Sequence, residues 1–181
     1  MSIGNFGRKV AIIGAGYVGA SIAYALVVAR IAQEIVLIEQ PLQSLKCQAE
    51  VNDIRHGIPF MGSSNVYAGS YADVKDCDLI IITAGRNRRP DETRLELAAD
   101  NVAIARCVTD ELIKHYDRGV ILVVANPVDI LTRKITEWMS LRPGTIMQKS
   151  GLFHFFLFFL SFMLVFSFVF PRSLVVDHFL V

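Results

Sequence analysis

Basic runs, a surplus of charge of either sign and paired cysteines are all missing from this chain of 181 residues. Lys and Arg number 18 against 17 Asp and Glu. Without a basic patch there is no electrostatic footprint for a phosphate backbone, so no nucleic-acid partner is expected. The three cysteines, Cys47, Cys77 and Cys107, form neither a CxxC pair nor a Cys/His cluster. That excludes a zinc ribbon and a disulfide-stapled secreted domain, and it predicts reduced thiols in a cytoplasmic protein with no metal site. The length rules out two full domains and leaves room for one domain with an appendage. A domain of ~150 residues buries roughly 70% of the surface its unfolded chain exposes, enough for a sizeable core.

Long uncharged stretches, by contrast, are present twice. Val10 to Ala29 carries no charge over twenty residues and follows Arg8 and Lys9. Its interior argues against a membrane segment: "VAIIG" is a short β-branched run stopped by glycine, and "GAGYVG" sets three glycines in six positions. A spanning helix is weakened by such a cluster, whereas a buried strand turning sharply into a helix requires it. The second stretch, "LFHFFLFFLSFMLVFSFVF" at 152–170, holds nine of the twelve phenylalanines.

Between these stretches the pattern alternates. Strand-like runs fall at 9–13, 34–38, 65–69, 78–83 and 119–125, with a short one at 145–147. Helical stretches fall at 17–29, 42–54, 92–115 and 129–139. Apolar strands alternating with amphipathic helices predict a parallel sheet covered on both faces, a doubly wound α/β domain of Rossmann type. The domain boundary is placed at 147, with 148–181 as a hydrophobic tail.

Gly14, Gly16 and Gly19 close the first strand and open the first helix. A bare GxGxxG is a weak signal, but the strand before it and the helix after it give each glycine a task. The first permits the tight turn, the second lets a pyrophosphate approach the backbone, and the third lets helix and strand pack closely. The free amides of the helix N-terminus then face the phosphates. Glu39, at the end of the second strand, can accept hydrogen bonds from both hydroxyls of an adenosine ribose. It would repel a 2′-phosphate, so NAD is expected rather than NADP.

Four motifs, "GAGYVG", "VNDIRHG" (51–57), "TAGRNRRPDETRLEL" (83–97) and "VVANPVDILT" (123–132), stand in this order. Over residues 8 to 147 the chain resembles the L-lactate/L-malate dehydrogenase family. The resemblance implies NAD as cofactor and a small 2-oxo or 2-hydroxy acid as substrate, in enzymes that are usually homo-oligomers. It implies that 86–94 is a loop closing over substrate and that Arg94 polarises the substrate carbonyl. There a guanidinium stabilises the charge that grows on oxygen during hydride transfer.

Arg88 matches the position that sorts substrates in the family, glutamine in lactate dehydrogenases and arginine in malate dehydrogenases. An arginine suits a second carboxylate. The "ETRLEL" that follows is nearer the lactate branch, so the two signals conflict. Asn126 matches the asparagine that binds substrate beside the nicotinamide. Tyr17, Val18, Tyr71, Gly85, Arg86 and Val124 match cofactor-lining positions. Two departures stand out: glutamate at 39 where the family has aspartate, and Asp91 where it has glycine, which predicts a stiffer loop.

Family members continue into a second domain carrying a carboxylate-gripping arginine and an aspartate–histidine pair for proton transfer. Nothing after Met147 matches these parts. His154 lies inside the phenylalanine run, and Asp177 and His178 are adjacent, a poor arrangement for an orienting pair. His56 and His115 match no catalytic motif. The tail has two readings. Nineteen uncharged residues between Lys149 and Arg172 suit a membrane-spanning helix. The abrupt break favours the other, a non-native continuation without an evolved task. The sequence thus predicts an NAD-binding unit that does not turn over substrate unaided.

Overall fold

The computed structural model describes residues 8–140 and 145–148. The tail from 149 onward, with its proposed span, His154 and His178, lies outside the described residues. Six strands, β1 (Lys9–Ile13), β2 (Glu34–Ile38), β3 (Asn65–Gly69), β4 (Leu79–Ile82), β5 (Val120–Val123) and β6 (Ile146–Gln148), form one sheet in the order 3-2-1-4-5-6. Every neighbouring pair is parallel. Each parallel pairing needs a crossover, and the helices α1 (Tyr17–Val28), α2 (Ser44–Met61), α3 (Arg94–His115) and α4 (Val128–Met139) supply four of them.

Side-chain parity along the strands divides the core into two layers. Val10 and Ile12 of β1, with Ile35 and Leu37 of β2, join Ala23 and Val27 of α1 and Val51 and Ile54 of α2. Ala11 and Ile13, with Val36, Ile38, Ile80 and Ile82, face Ala105, Val108 and Leu112 of α3 and Leu131 and Ile135 of α4. Successive strand residues point to opposite faces, so a sheet buried on both sides must be apolar at every position. That explains "VAII", "IVLI" and "LIII" without polar interruption. Among the described residues no helix is long and apolar enough to cross a membrane. The stretch from Val10 to Ala29 resolves into a strand, a turn and a helix.

Among the expected boundaries that shift, two are instructive. Helix α2 runs to Met61, seven residues beyond the expected end and past Gly57 and Pro59. Apolar residues recur at 51, 54, 58 and 61, and Ile58 and Met61 pack against the same layer as Val51 and Ile54. Burial of that stripe outweighs the local penalties, and Pro59 falls in the last turn, where few bonds remain to be lost. Arg30 then donates Nε–H to the Met61 carbonyl at 2.8 Å, satisfying an end that the helix itself cannot. Helix α3 begins at Arg94 rather than 92. Thr93 is its N-cap and forms a reciprocal capping box with Glu96. The box also holds the Glu96 carboxyl below the usual carboxylate range, through the Thr93 backbone and side chain.

The Leu112 side chain is fully buried where α3 meets the sheet. Leu112→Ala is expected to lower stability by about 2–5 kcal/mol. Urea unfolding followed by circular dichroism checks this, and a loss under ~1 kcal/mol would contradict the packing described.

Candidate functional site

The strand order reverses between β1 and β4, and the carboxyl ends of these two strands diverge there into separate crossovers. Gly14, the first residue past β1, sits in the left-handed region at φ +108°. A Cβ there would lie 2.7 Å from Thr83 Oγ1 and 2.8 Å from the Ala84 nitrogen. The Thr83 hydroxyl lies 2.9 Å from the Gly14 carbonyl oxygen, to which it donates, locking the turn against the end of β4. At Gly19 a Cβ would fall 1.9 Å from the Gly14 carbonyl oxygen. The first and third glycines are thus dictated by the protein's own backbone.

Gly16 differs. A Cβ there would meet nothing within 4 Å. The space beside it opens onto the N-terminus of α1, whose first intrahelical bond runs from the Ala20 N–H to the Gly16 carbonyl at 2.9 Å. The amides of Tyr17, Val18 and Gly19 precede that bond and are left to an outside acceptor. Tyr17 is 82% exposed and Val18 is 43% exposed at the rim. Lys46 of α2 places its ammonium 5.5 Å from the Tyr17 ring centroid, adding positive charge to the opening. No sequence motif marked Lys46; only the packing of α2 on α1 brings it there.

Glu39 follows β2 and reaches back to this turn. Its Oε2 accepts the Ala15 N–H at 2.8 Å and its Oε1 accepts the Gln40 N–H at 2.9 Å. The longer glutamate therefore spans the gap to the glycine loop. Tyr71 opens a single 3-10 turn (Tyr71–Val74) after β3 and packs against the α3 layer of the core. Burial pushes its hydroxyl up to about 12, with Glu111 and Glu39 adding to the effect. It is thus a neutral aromatic wall within the field of Glu39.

The second half of the site lies past β4 and β5. Val124 continues β5, its N–H donating to the Ile82 carbonyl at 2.9 Å, and Asn126 follows with a cis bond to Pro127. Gly85 and Arg86 leave β4 beside it. The buried side chain of Asn101, on α3, joins the two exits. Its Oδ1 accepts the Arg86 N–H at 2.9 Å, and its Nδ2 donates to the Asn126 carbonyl at 2.7 Å. Sequence reading missed Asn101, because a single polar position on an amphipathic helix carries no signal of its own.

Arginines crowd the loop after Gly85. The Arg86 guanidinium pairs with both oxygens of Glu92 and with Asp100. Arg86 thus braces the loop instead of facing open space. The Arg88 Nε–H donates to the Glu92 carbonyl at 2.8 Å, and its side chain is exposed. Arg94 starts α3 with an exposed side chain that has no partner among the described residues. Asn126 is exposed as well. Arg86 and Asn126 are thus tied together through Asn101, while Arg88 leans on the Glu92 carbonyl and Arg94 stands free at the start of α3.

His56 is exposed in the second half of α2, and His115 ends α3. Both helices run back toward the amino edge of the sheet, so both histidines lie away from the carboxyl edge that carries the site. Cys47, Cys77 and Cys107 are free thiols, and burial pushes Cys47 and Cys77 up to about 11. No cluster of His, Cys, Asp and Glu suited to a metal ion occurs among the described residues.

A left-handed glycine turn, open helix amides and an acid at the end of the second strand define a dinucleotide-binding Rossmann domain. The chain belongs to the lactate/malate dehydrogenase family: the family's NAD binding domain matches residues 8–148. The L-lactate dehydrogenase of Priestia megaterium is 44% identical over 144 residues, covering 80% of this chain and 44% of the relative. That of Thermoanaerobacterium saccharolyticum is 48% identical over 124 residues, covering 68% and 39%. Among solved structures, a minor L-lactate dehydrogenase from Enterococcus mundtii superposes with a TM-score of 0.73 at 37% identity, covering 78% of this chain and 45% of that one. The malate dehydrogenase of Picrophilus torridus gives 0.72 at 28% identity, covering 80% and 46%. The chain spans less than half the length of the curated relatives it matches.

Two outcomes follow from this geometry. Because Gly16 is open and has an ordinary φ of −78°, Gly16→Ala is expected to leave stability within about 0.5 kcal/mol of the parent. The added methyl is expected to obstruct a pyrophosphate and to weaken NADH binding about tenfold or more. Gly19→Ala instead destabilises the fold. Thermal unfolding combined with NADH titration separates the two.

The Arg86 guanidinium holds the Glu92 carboxyl down at about 2, below its ordinary 4.5. A carboxylate depressed in the folded state stabilises above its unfolded value and loses that contribution as pH falls through the folded one. The stability difference between the parent and Glu92→Gln should therefore be constant above pH 4.5 and shrink toward pH 2. Urea unfolding across that range checks it, and a difference that grows on acidification would contradict the pairing.

Proposed function

We propose that residues 8–148 are the cofactor-holding half of an NAD-dependent L-2-hydroxy-acid dehydrogenase acting on a small 2-oxo or 2-hydroxy acid in a reducing cytoplasm. The observation that carries this reading is the pairing of an empty Cβ position at Gly16 with a Glu39 carboxylate anchored to the same loop. The first leaves room for a pyrophosphate. The second presents lone pairs to ribose hydroxyls and negative charge to any 2′-phosphate. NAD, when bound, takes or gives the hydride.

The residues divide the remaining work. Gly14, Gly16, Tyr17, Val18, Gly19, Glu39 and Tyr71 hold the adenosine and pyrophosphate half. Gly85, Arg86, Val124 and Asn126 frame the nicotinamide half, with Arg86 acting through its backbone because its guanidinium is committed to Glu92 and Asp100. Asn126 and Arg94 address the substrate, and the Arg94 guanidinium stabilises negative charge developing on the carbonyl oxygen. The L-lactate dehydrogenases among the relatives favour a lactate/pyruvate pair. Arg88 supports a second reading: its Nε–H rests on the Glu92 carbonyl, which leaves its terminal nitrogens for a second carboxylate, as in malate or oxaloacetate.

The described histidines lie off the carboxyl edge, so no described histidine gives and takes the proton there. Losing a general acid/base costs about 10²–10⁴ in rate. The 181-residue chain assayed alone is expected to bind NADH while reducing pyruvate and oxaloacetate at no more than background. Calorimetry should show NADH binding at least about tenfold tighter than NADPH, with Glu39→Ala losing affinity for NADH. Equal affinity for the two cofactors, or no heat with either, would overturn the reading.

A further inference from the structure

We infer that Asn101 is a positioning residue. It sets the nicotinamide end of the site by fixing the exits of β4 and β5 against one another through their backbones. The inference rests on the cofactor reading above and deepens it.

Asn101 lies on the buried face of α3, between Ala98 and Ala105, with only 2% of its surface exposed. A buried amide is costly unless its donors and acceptor are all used. Here they are, and each goes to backbone outside its own helix. Oδ1 accepts the Arg86 N–H at 2.9 Å, while Nδ2 donates to the Asn126 carbonyl at 2.7 Å and reaches the Arg86 carbonyl at 3.4 Å. Gly85 fits in the same wedge: a Cβ there would lie 3.5 Å from Asn101 Oδ1 and 3.6 Å from the Ala125 Cβ. One side chain therefore sets the spacing between the loop that carries Arg88 and Arg94 and the turn that carries Asn126.

Its neighbours on the helix behave differently. Thr109 is also fully buried, yet its hydroxyl donates to Ala105 of the same helix, 2.7 Å away. Thr109 satisfies itself locally, whereas Asn101 spans two strand ends. The glycine turn and Glu39 sit past β1 and β2, outside this wedge. Removing the Asn101 amide should loosen the nicotinamide half and leave the adenosine half in place.

The test measures the full chain's affinity for NADH and for ADP-ribose, which keeps the adenosine and both phosphates and lacks the nicotinamide. In Asn101→Leu, which is similar in size and has no polar atoms, NADH should weaken about tenfold while ADP-ribose stays within about twofold. Asn101→Asp keeps the acceptor for the Arg86 N–H and loses both donors, so the same split should appear if the leucine variant folds poorly. Thr109→Val is the control and should leave the NADH to ADP-ribose ratio unchanged.

A parallel loss of both affinities would mark Asn101 as merely structural and overturn the inference. So would a parent chain that binds NADH no better than ADP-ribose. A parent that binds neither compound would instead sink the cofactor reading itself.

Discussion

Gly14 turns the chain through a left-handed conformation that no other residue could hold with Thr83 and the backbone of Ala84 pressed against it. Everything that makes the carboxyl edge a site depends on that turn. It points the Ala15 N–H at Glu39, brings the Gly14 carbonyl to within contact of Gly19, and starts α1 where its unpaired amides open outward. The Thr83 hydroxyl closes the arrangement from β4. A side chain at Gly14 would therefore disturb strand, helix and acid together, while one at Gly16 disturbs only what comes from outside. The contrast separates a glycine that the fold needs from one that it does not.

The sheet was legible in the sequence because a two-sided parallel sheet leaves no polar positions to confuse the pattern. "VAII", "IVLI" and "LIII" had few alternatives, and the helices between them fixed the crossovers. The end of α2 was less legible: Gly57 and Pro59 are local stop signals, and the stripe of Val51, Ile54, Ile58 and Met61 that overrides them pays off only against β2 and β3. Motif register singled out the glycine loop, Glu39 and Asn126. It could not see that the Arg86 side chain is spent on Glu92 and Asp100, because that depends on how the loop folds back on α3. Lys46 and Asn101 were hidden for the same reason, since each acquires meaning from partners far away in the chain.

The loop after β4 shows how a cluster of like charges can be sorted by geometry. Four arginines fall between 86 and 94. One is neutralised by two carboxylates, a second leans on a backbone carbonyl, and Arg94 keeps an exposed guanidinium. Glu92 is the hub, accepting from Arg86 and from the Arg89 N–H while its carbonyl holds Arg88. With Asp91 in place of a glycine, the segment has an internal scaffold of its own, and any motion it makes would carry that scaffold along.

Glu39 has a consequence of a different kind. Both of its oxygens are anchored, to Ala15 and to Gln40, in the absence of any ligand. A carboxylate offers about four lone-pair directions, so roughly two remain unused. The rotamer entropy of the side chain is surrendered during folding and not at the moment of encounter, which is what preorganisation means in practice. Nothing can push this charge aside without breaking two backbone hydrogen bonds. The placement of this charge is therefore a property of the resting protein, present before the first collision.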